Sequence, residues 1–295
     1  MIIDVLDNSF FVVRDDLYPF IGGGNKGRKL SKIGDYVKKN NYNAIVTTGG
    51  IQSNHCRAAA IFAAQNNMEC TLVLHGDEKR FHAENGNAKL MRLSGSRIVF
   101  TEAKGISDAM DAAVVDYYAK DLNPYYLRGG GHTLEGAMAY VDAVKDLFEI
   151  TDTRPDYIFL PTGTGSTQAG IMAGLDLMGS DCKVVGISVG RERNSAEKHV
   201  TNLYCELRDH LYLTNGKNSA LVLDDYLCGG YEKSNEEIND ISEKSLSNYG
   251  FVLDTTYTAK AFYGMMEYVR KKSLKGHIFF WHTGGILNFL AKSKN

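Results

Sequence analysis

Short apolar runs rich in Val, Ile, Phe and Tyr alternate along this chain with segments whose apolar residues recur at helical spacing. The short runs predict strands at Phe10–Arg14, Ala44–Thr48, Cys70–Leu74, Arg97–Thr101, Pro124–Leu127, Tyr157–Pro161, Val184–Val189, Phe251–Asp254 and His277–Trp281. Between them, Ala137, Val141, Val144 and Phe148 form one helical stripe, and Phe262, Met265, Met266 and Val269 form another. Ser234 and Glu237 make a capping-box pattern ahead of Ile238 and Ile241, with Gly250 placed to end that helix. Regular β–α alternation predicts an α/β fold of open parallel sheets with helices on both faces. The Gly129-Gly130-Gly131 run, after four βα units, is the best candidate for a boundary between lobes.

Composition narrows this picture. At 295 residues the chain reaches the upper size for a single hydrophobic core, so two lobes are as natural as one. An apolar fraction of 44% excludes disorder, and 35 acidic against 33 basic residues exclude nucleic-acid binding driven by a basic surface. The longest apolar stretch, Ile278–Ala291, spans only 14 residues and is broken by His282, Thr283, Gly284 and Gly285, so no membrane span is expected. The first residues carry Asp4 and Asp7 and no basic leader. Five cysteines, an odd number without a CxxC pair, fit a reducing cytoplasm. Neither a metal motif such as HExxH nor a G-x-S-x-G elbow occurs, so zinc hydrolysis and serine hydrolysis are not expected.

The candidate chemistry sits where glycines meet predicted helix starts: Gly22–Lys26, Gly49–His55, Gly163–Thr167 and His282–Gly285. Such junctions are where parallel α/β folds bind ligands. Gly163-Thr164-Gly165-Ser166-Thr167 offers successive backbone donors, hydroxyls and a helix N-terminus, a phosphate cradle without the Walker lysine. By itself it suits a dinucleotide or another phosphorylated cofactor equally. Lys26 separates the two. It follows three glycines and an asparagine at a helix mouth, where the helix N-terminus and the cations Arg28 and Lys29 would lower its pKa. A nucleophilic amine beside a phosphate cradle points to a Schiff-base cofactor, pyridoxal 5'-phosphate (PLP).

GGGNKGRKL (22–30), TTGGIQSNHCR (47–57), PTGTGSTQAG (161–170), DTTYTAKA (254–261) and FFWHTGG (279–285) resemble, in order, the motifs of the D-cysteine desulfhydrase / 1-aminocyclopropane-1-carboxylate (ACC) deaminase family of PLP enzymes. That resemblance implies a tryptophan-synthase-β-like (fold type II) architecture. Its large PLP-binding domain would comprise residues 1–30 and 133–295, with a small mobile domain at 31–132 and a homodimeric assembly. It implies further that Lys26 binds PLP covalently and exchanges protons with the substrate. Lys29 and Gly163, Thr164, Gly165, Ser166 and Thr167 would hold the phosphate. Asn54 would bond the phenolic oxygen, and Thr283 would face the ring nitrogen. Ser53, Asn54 and His55 would receive the substrate carboxylate, and Tyr257 and Tyr231 would face the substrate. Lys260, the only other lysine inside one of these motifs, reads as structural or as a support behind the site.

Where ACC deaminases tend to carry Gln, Glu and Leu, this chain has His55, Thr258 and Thr283, which sides with the desulfhydrase branch. Ala259 and the Cys228–Lys233 segment depart from the family pattern, and residues 190–232 match it least. The expected activity is α,β-elimination from a small amino acid, best D-cysteine, giving pyruvate, ammonia and sulfide. The alternatives are an ACC deaminase or specialised pathway enzyme of the same family, an NAD-dependent oxidoreductase using Gly163–Thr167, and a non-catalytic binder of a phosphorylated ligand.

Overall fold

A computed structural model describes residues 1–7, 9–214 and 219–291. The strands are β1 (Ile3–Val5), β2 (Phe10–Arg14), β3 (Ala44–Gly50), β4 (Glu69–His75), β5 (Arg97–Phe100), β6 (Pro124–Leu127), β7 (Tyr157–Thr162), β8 (Lys183–Ser188), β9 (Leu221–Leu223) and β10 (Ile278–His282). The helices are α1 (Gly24–Lys39), α2 (Asn54–Gln65), α3 (Glu78–Ala83), α4 (Gly86–Leu93), α5 (Ile106–Tyr118), α6 (Leu134–Ile150), α7 (Ser166–Leu177), α8 (Arg193–His210), α9 (Glu236–Tyr249), α10 (Thr258–Lys272) and α11 (Ile286–Phe289).

Two sheets result. One has the order β1-β2-β10-β7-β8-β9 and the other β5-β4-β3-β6. All pairings are parallel except β1 with β2, so the larger sheet carries one antiparallel edge that the apolar pattern did not announce. Both faces of each sheet are covered. In the larger one, Val141, Val144 and Met172 pack on one side and Phe262, Met265 and Ile238 on the other. Leu30, Ile33 and Phe62 cover one face of the smaller sheet, and Met110 and Tyr117 cover its other face. A central strand such as β7 is therefore apolar on both faces, which is why it reads as a continuous run and not an alternation.

Three local expectations are corrected. Phe251–Asp254 is not a strand. Ser242 donates to the Leu253 carbonyl at 2.5 Å and Ser245 accepts from its N–H at 3.1 Å, so serines of α9 take the backbone bonds a neighbouring strand would use. Asn235, and not Ser234, caps α9 by accepting from Ile238 N, while Gly250 ends the helix in the left-handed conformation. Met266 belongs to the apolar stripe of α10 by spacing but points outward at 39% exposure.

The two sheets meet at α1. Its apolar face joins the core of the smaller sheet, while its N-terminus abuts the end of β10. That approach demands glycine. Gly23 has φ +53, and a Cβ there would lie 2.0 Å from the Asp16 carbonyl oxygen. At Gly24, φ +80, a Cβ would lie 2.8 Å from the Thr283 carbonyl oxygen. Asn25 N–H donates to that same carbonyl at 2.9 Å, which fixes the chain just ahead of Lys26.

Candidate active site

Five chain segments far apart in sequence converge on a cleft: the starts of α1, α2 and α10, the β7–α7 turn and the end of β10. Lys26, Lys29, Asn54, Tyr257 and Thr283 line it together with Gly163, Thr164, Gly165 and Thr167. A second, wider cleft continues from it, sharing Lys26, Gly163, Thr164 and Tyr257 and adding Ser53, His55 and Tyr231. Of the residues expected at the site, only Ser166 lines neither cleft. Its hydroxyl is fully buried behind Lys29, accepting from Nζ at 2.8 Å.

Lys26 Nζ donates to the Gly130 carbonyl at 3.0 Å. Burial, partly offset by its hydrogen bond with Lys29 and reinforced by the charge of Arg57, brings its pKa down to about 8. Contrary to expectation, Lys29 acts against the lowering and Arg28 plays no part in it. It is turned to the buried Asp15 carboxylate at 2.6 Å, which also accepts from Tyr140 and from Trp281 Nε1. Arg57 is the cation that the sequence does not reveal. It lies on α2, is fully buried, and donates to Asn87 Oδ1 at 3.1 Å and to the Ile21 carbonyl. Its guanidinium is itself pulled down to about 10 by burial.

Lys29 is depressed well below the ordinary lysine value, first by burial and then by the charge of Lys26. Among the described residues no carboxylate lies within ion-pair distance of Lys26, Lys29 or Arg57. Among the described residues neither cleft is lined by a carboxylate. Buried cations without anions are costly unless a ligand supplies the countercharge.

The β7–α7 turn has the form of an anion cradle. Gly165 caps α7 in the left-handed conformation, φ +92, and no side chain satisfies the first N–H groups of the helix. A Cβ at Gly163 would meet only Val189, at 3.7 Å, so a ligand can approach the backbone there. Thr167 Oγ1 accepts from Asn25 Nδ2 at 3.1 Å and ties the cradle to α1. A primary amine of lowered pKa, an unneutralised cation and a helix N-terminus together suit a phosphorylated aldehyde, and the site fits PLP.

At the start of α2, Ser53 is an ordinary N-cap, accepting from Cys56 N at 3.1 Å. Asn54 Oδ1 accepts from Asn87 Nδ2 at 2.9 Å, which leaves the amide group of Asn54 to face the cleft. The His55 ring is held differently from a carboxylate-binding imidazolium. Thr47 donates to the Leu127 carbonyl, so His55 Nε2 must donate to Thr47 Oγ1 at 2.8 Å, and Nδ1 is left as a buried acceptor without a partner. Burial and the charges of Lys26, Lys29 and Arg57 keep the ring neutral.

Across the cleft, the Tyr231 and Tyr257 hydroxyls are hydrogen-bonded, with their rings edge-on at 5.9 Å. Burial pushes both phenols up, so both stay protonated. Thr258 is turned away from the cleft. Its hydroxyl bonds Asp254, whose carboxylate caps this turn through Thr256, Tyr257 and Thr258 N–H and is pushed up by burial to about 6. Arg191, also unforeseen, lines the wider cleft and donates to the Gly163 carbonyl. Among the described residues no group of three or more His, Cys, Asp or Glu could hold a metal, and no helix is long and apolar enough to cross a membrane.

Comparison with known proteins agrees with this geometry. The family model "Pyridoxal-phosphate dependent enzyme" matches residues 4–284. A Pyrococcus horikoshii protein named "Putative 1-aminocyclopropane-1-carboxylate deaminase" is 33% identical over 282 residues, covering 94% of this chain and 84% of its own. A crystal structure described as an ACC deaminase homologue superposes with a TM-score of 0.89 at 30% identity, covering 95% of this chain and 86% of the other. Threonine deaminase isoform 2 from Solanum lycopersicum shares the fold alone, with a TM-score of 0.64 at 13% identity over 93% of this chain and 78% of its own.

Proposed function

The chain belongs to the family of pyridoxal-phosphate dependent enzymes, and from that premise we propose that it eliminates the β-substituent of a small amino acid, with D-cysteine its substrate and sulfide, pyruvate and ammonia its products. The observation that carries this reading is that no carboxylate among the described residues lines either cleft, and that the neutral Thr283 lines the first together with Lys26. An acid beside the ring nitrogen would keep it protonated, whereas a hydroxyl leaves it a weaker electron sink. That favours reactions in which a leaving group takes the electrons away.

When bound, PLP supplies an aldehyde to condense with amines and a conjugated ring that acidifies the substrate's α-carbon. The protein's own groups do the rest. Lys29, the Gly163–Thr167 backbone and the α7 N-terminus hold the phosphate, and Asn54 orients the ring through its amide. The N-terminus of α2 receives the substrate carboxylate through the backbone N–H groups of Asn54 and His55, the Ser53 N–H being taken by the Gly50 carbonyl and the His55 ring being neutral. With its pKa near 8, the Lys26 amine can accept the α-proton as the β-substituent departs. The protonated Tyr257–Tyr231 pair stands on the substrate side as a donor toward the departing group. A small lobe of residues 31–132 would close over the site against the rest of the chain and exclude water. The enzyme would act as a homodimer in the cytoplasm, where its five unbridged cysteines would remain thiols.

ACC deamination is the second reading, favoured by the names of two relatives at 30% identity or above. Purified, PLP-loaded protein given D-cysteine, L-cysteine or ACC separates them. Sulfide and pyruvate from D-cysteine alone support the proposal. A 2-oxo acid and ammonia from ACC, with no sulfide from cysteine, would replace it by the second reading.

A further inference from the structure

Lys260 is 0% exposed, three residues beyond Tyr257 in the first turn of α10. A buried ammonium ordinarily pairs with a carboxylate, yet none lies within ion-pair distance among the described residues. The nearby Asp254 spends its oxygens on the N–H groups of Thr256, Tyr257 and Thr258. Lys260 Nζ donates instead to two backbone carbonyls, Leu227 at 2.8 Å and Gly230 at 2.9 Å.

Those carbonyls belong to a loop that ordinary packing does not explain. Cys228 has φ +53, Gly229 +87, Gly230 +128 and Glu232 +61, four left-handed residues within five positions, two of them not glycine. A Cβ added at Gly229 or Gly230 would meet nothing within 4 Å, so the outer side of the loop is open. Such backbone persists only where its surroundings hold it. Its internal turn bonds, Leu227 N–H to Asp224 O at 3.4 Å, Gly230 N–H to Leu227 O at 3.0 Å and Lys233 N–H to Gly230 O at 3.2 Å, hold the loop to itself and not to α10. Tyr231 follows directly, and its hydroxyl meets that of Tyr257. One turn of α10 therefore grips the loop twice, through the Lys260 ammonium on one side of Tyr231 and the Tyr257 hydroxyl on the other.

We infer that Lys260 is a positioning residue, whose ammonium pins the 227–232 loop through the Leu227 and Gly230 carbonyls so that Tyr231 stands against Tyr257 at the substrate side of the cleft. The importance of this placement for turnover rests on the function proposed above, whereas the pinning itself does not. The charge is suited to the task. One ammonium can satisfy both converging carbonyls from inside a helix turn, where a neutral side chain of that length could not.

Two readouts test it. Cys228, half-buried within the loop, reports loop opening through its rate of alkylation by iodoacetamide, followed by peptide mass mapping, with the exposed Cys205 as internal control. Lys260→Met should raise Cys228 labelling by roughly tenfold, through local opening, and leave Cys205 unchanged. Turnover is read as a double-mutant cycle in the PLP-loaded protein. K260M should lower kcat/KM, and K260M combined with Tyr231→Phe should be no slower than Y231F alone, because both act through the same hydroxyl. Wild-type labelling of Cys228 in K260M would overturn the inference, as would losses that multiply in the double variant. If K260M does not accumulate folded, Lys260→Gln, whose shorter uncharged side chain does not reach both carbonyls, is put through the same cycle and judged by the same outcomes. If the wild-type protein turns over no amino acid, the proposed function fails, and the labelling arm still decides whether Lys260 pins the loop.

Discussion

Lys29 donates to the Ser166 hydroxyl at 2.8 Å across 137 positions of sequence, and this bond joins α1 to the anion cradle at the start of α7. The partner is neutral, and burial together with the charge of Lys26 drives the Lys29 pKa well down. Lys29→Met should therefore leave the apoprotein as stable as the parent or more so, since it removes an unpaired buried cation. The stabilisation gained on adding PLP should shrink at the same time. Thermal melts with and without PLP measure both. A large loss of apoprotein stability would show that Lys29 is structural.

The lowered pKa of Lys26 has a definite sign. Folding disfavours its protonated form, holding it to about 8 against an ordinary 10.5. The unfolded chain thus binds more protons between those values, and apoprotein stability gains from this group as pH rises through that window. Site-resolved acylation of Lys26 in the apoprotein should rise with a midpoint near pH 8. A midpoint above 10 would remove the basis for its nucleophilicity.

Gly165 carries φ +92, and a Cβ there would lie 2.9 Å from Val200 Cγ2 and 3.2 Å from Val200 N. Gly165→Ala should cost roughly 1–3 kcal/mol in strain. It should also weaken PLP binding by about tenfold or more, because the α7 N-terminus must shift to admit the methyl group. Absorbance titration with PLP and a melt of the apoprotein check the two effects separately.

Asp15 is buried and serves three donors, Arg28, Tyr140 and Trp281. Asp15→Asn should lower stability by about 3–5 kcal/mol, since it leaves the Arg28 charge poorly paired beneath the sheet. Trp281 is the only tryptophan, so urea unfolding followed by its fluorescence reads the change at the site of the substitution. A loss under 1 kcal/mol would mean that Asp146, 3.7 Å from Arg28, compensates.

Much of the site is legible in the sequence because its parts are local. Lys26 stands out through the glycines before it, and the Gly163–Thr167 turn through its spacing. The residues that escape notice depend on tertiary approach. Arg57 reads as a helix-surface charge until Asn87 and the Ile21 carbonyl are brought to it from other segments. Arg28 is a neighbour of Lys26 by position, but its guanidinium is drawn away to Asp15. Phe251–Asp254 has strand composition, and only the serines of α9 show where its backbone bonds go. The strand Leu221–Leu223 is three residues long at the sheet edge, too short for any periodic signal.

Lys26 is proposed as the amine that carries the cofactor. Borohydride reduction of the PLP-loaded protein, followed by peptide mapping, tests this assignment. One pyridoxyl adduct is expected, on Lys26, absent from Lys26→Ala together with all turnover. An adduct on another lysine, or normal activity in K26A, would contradict it.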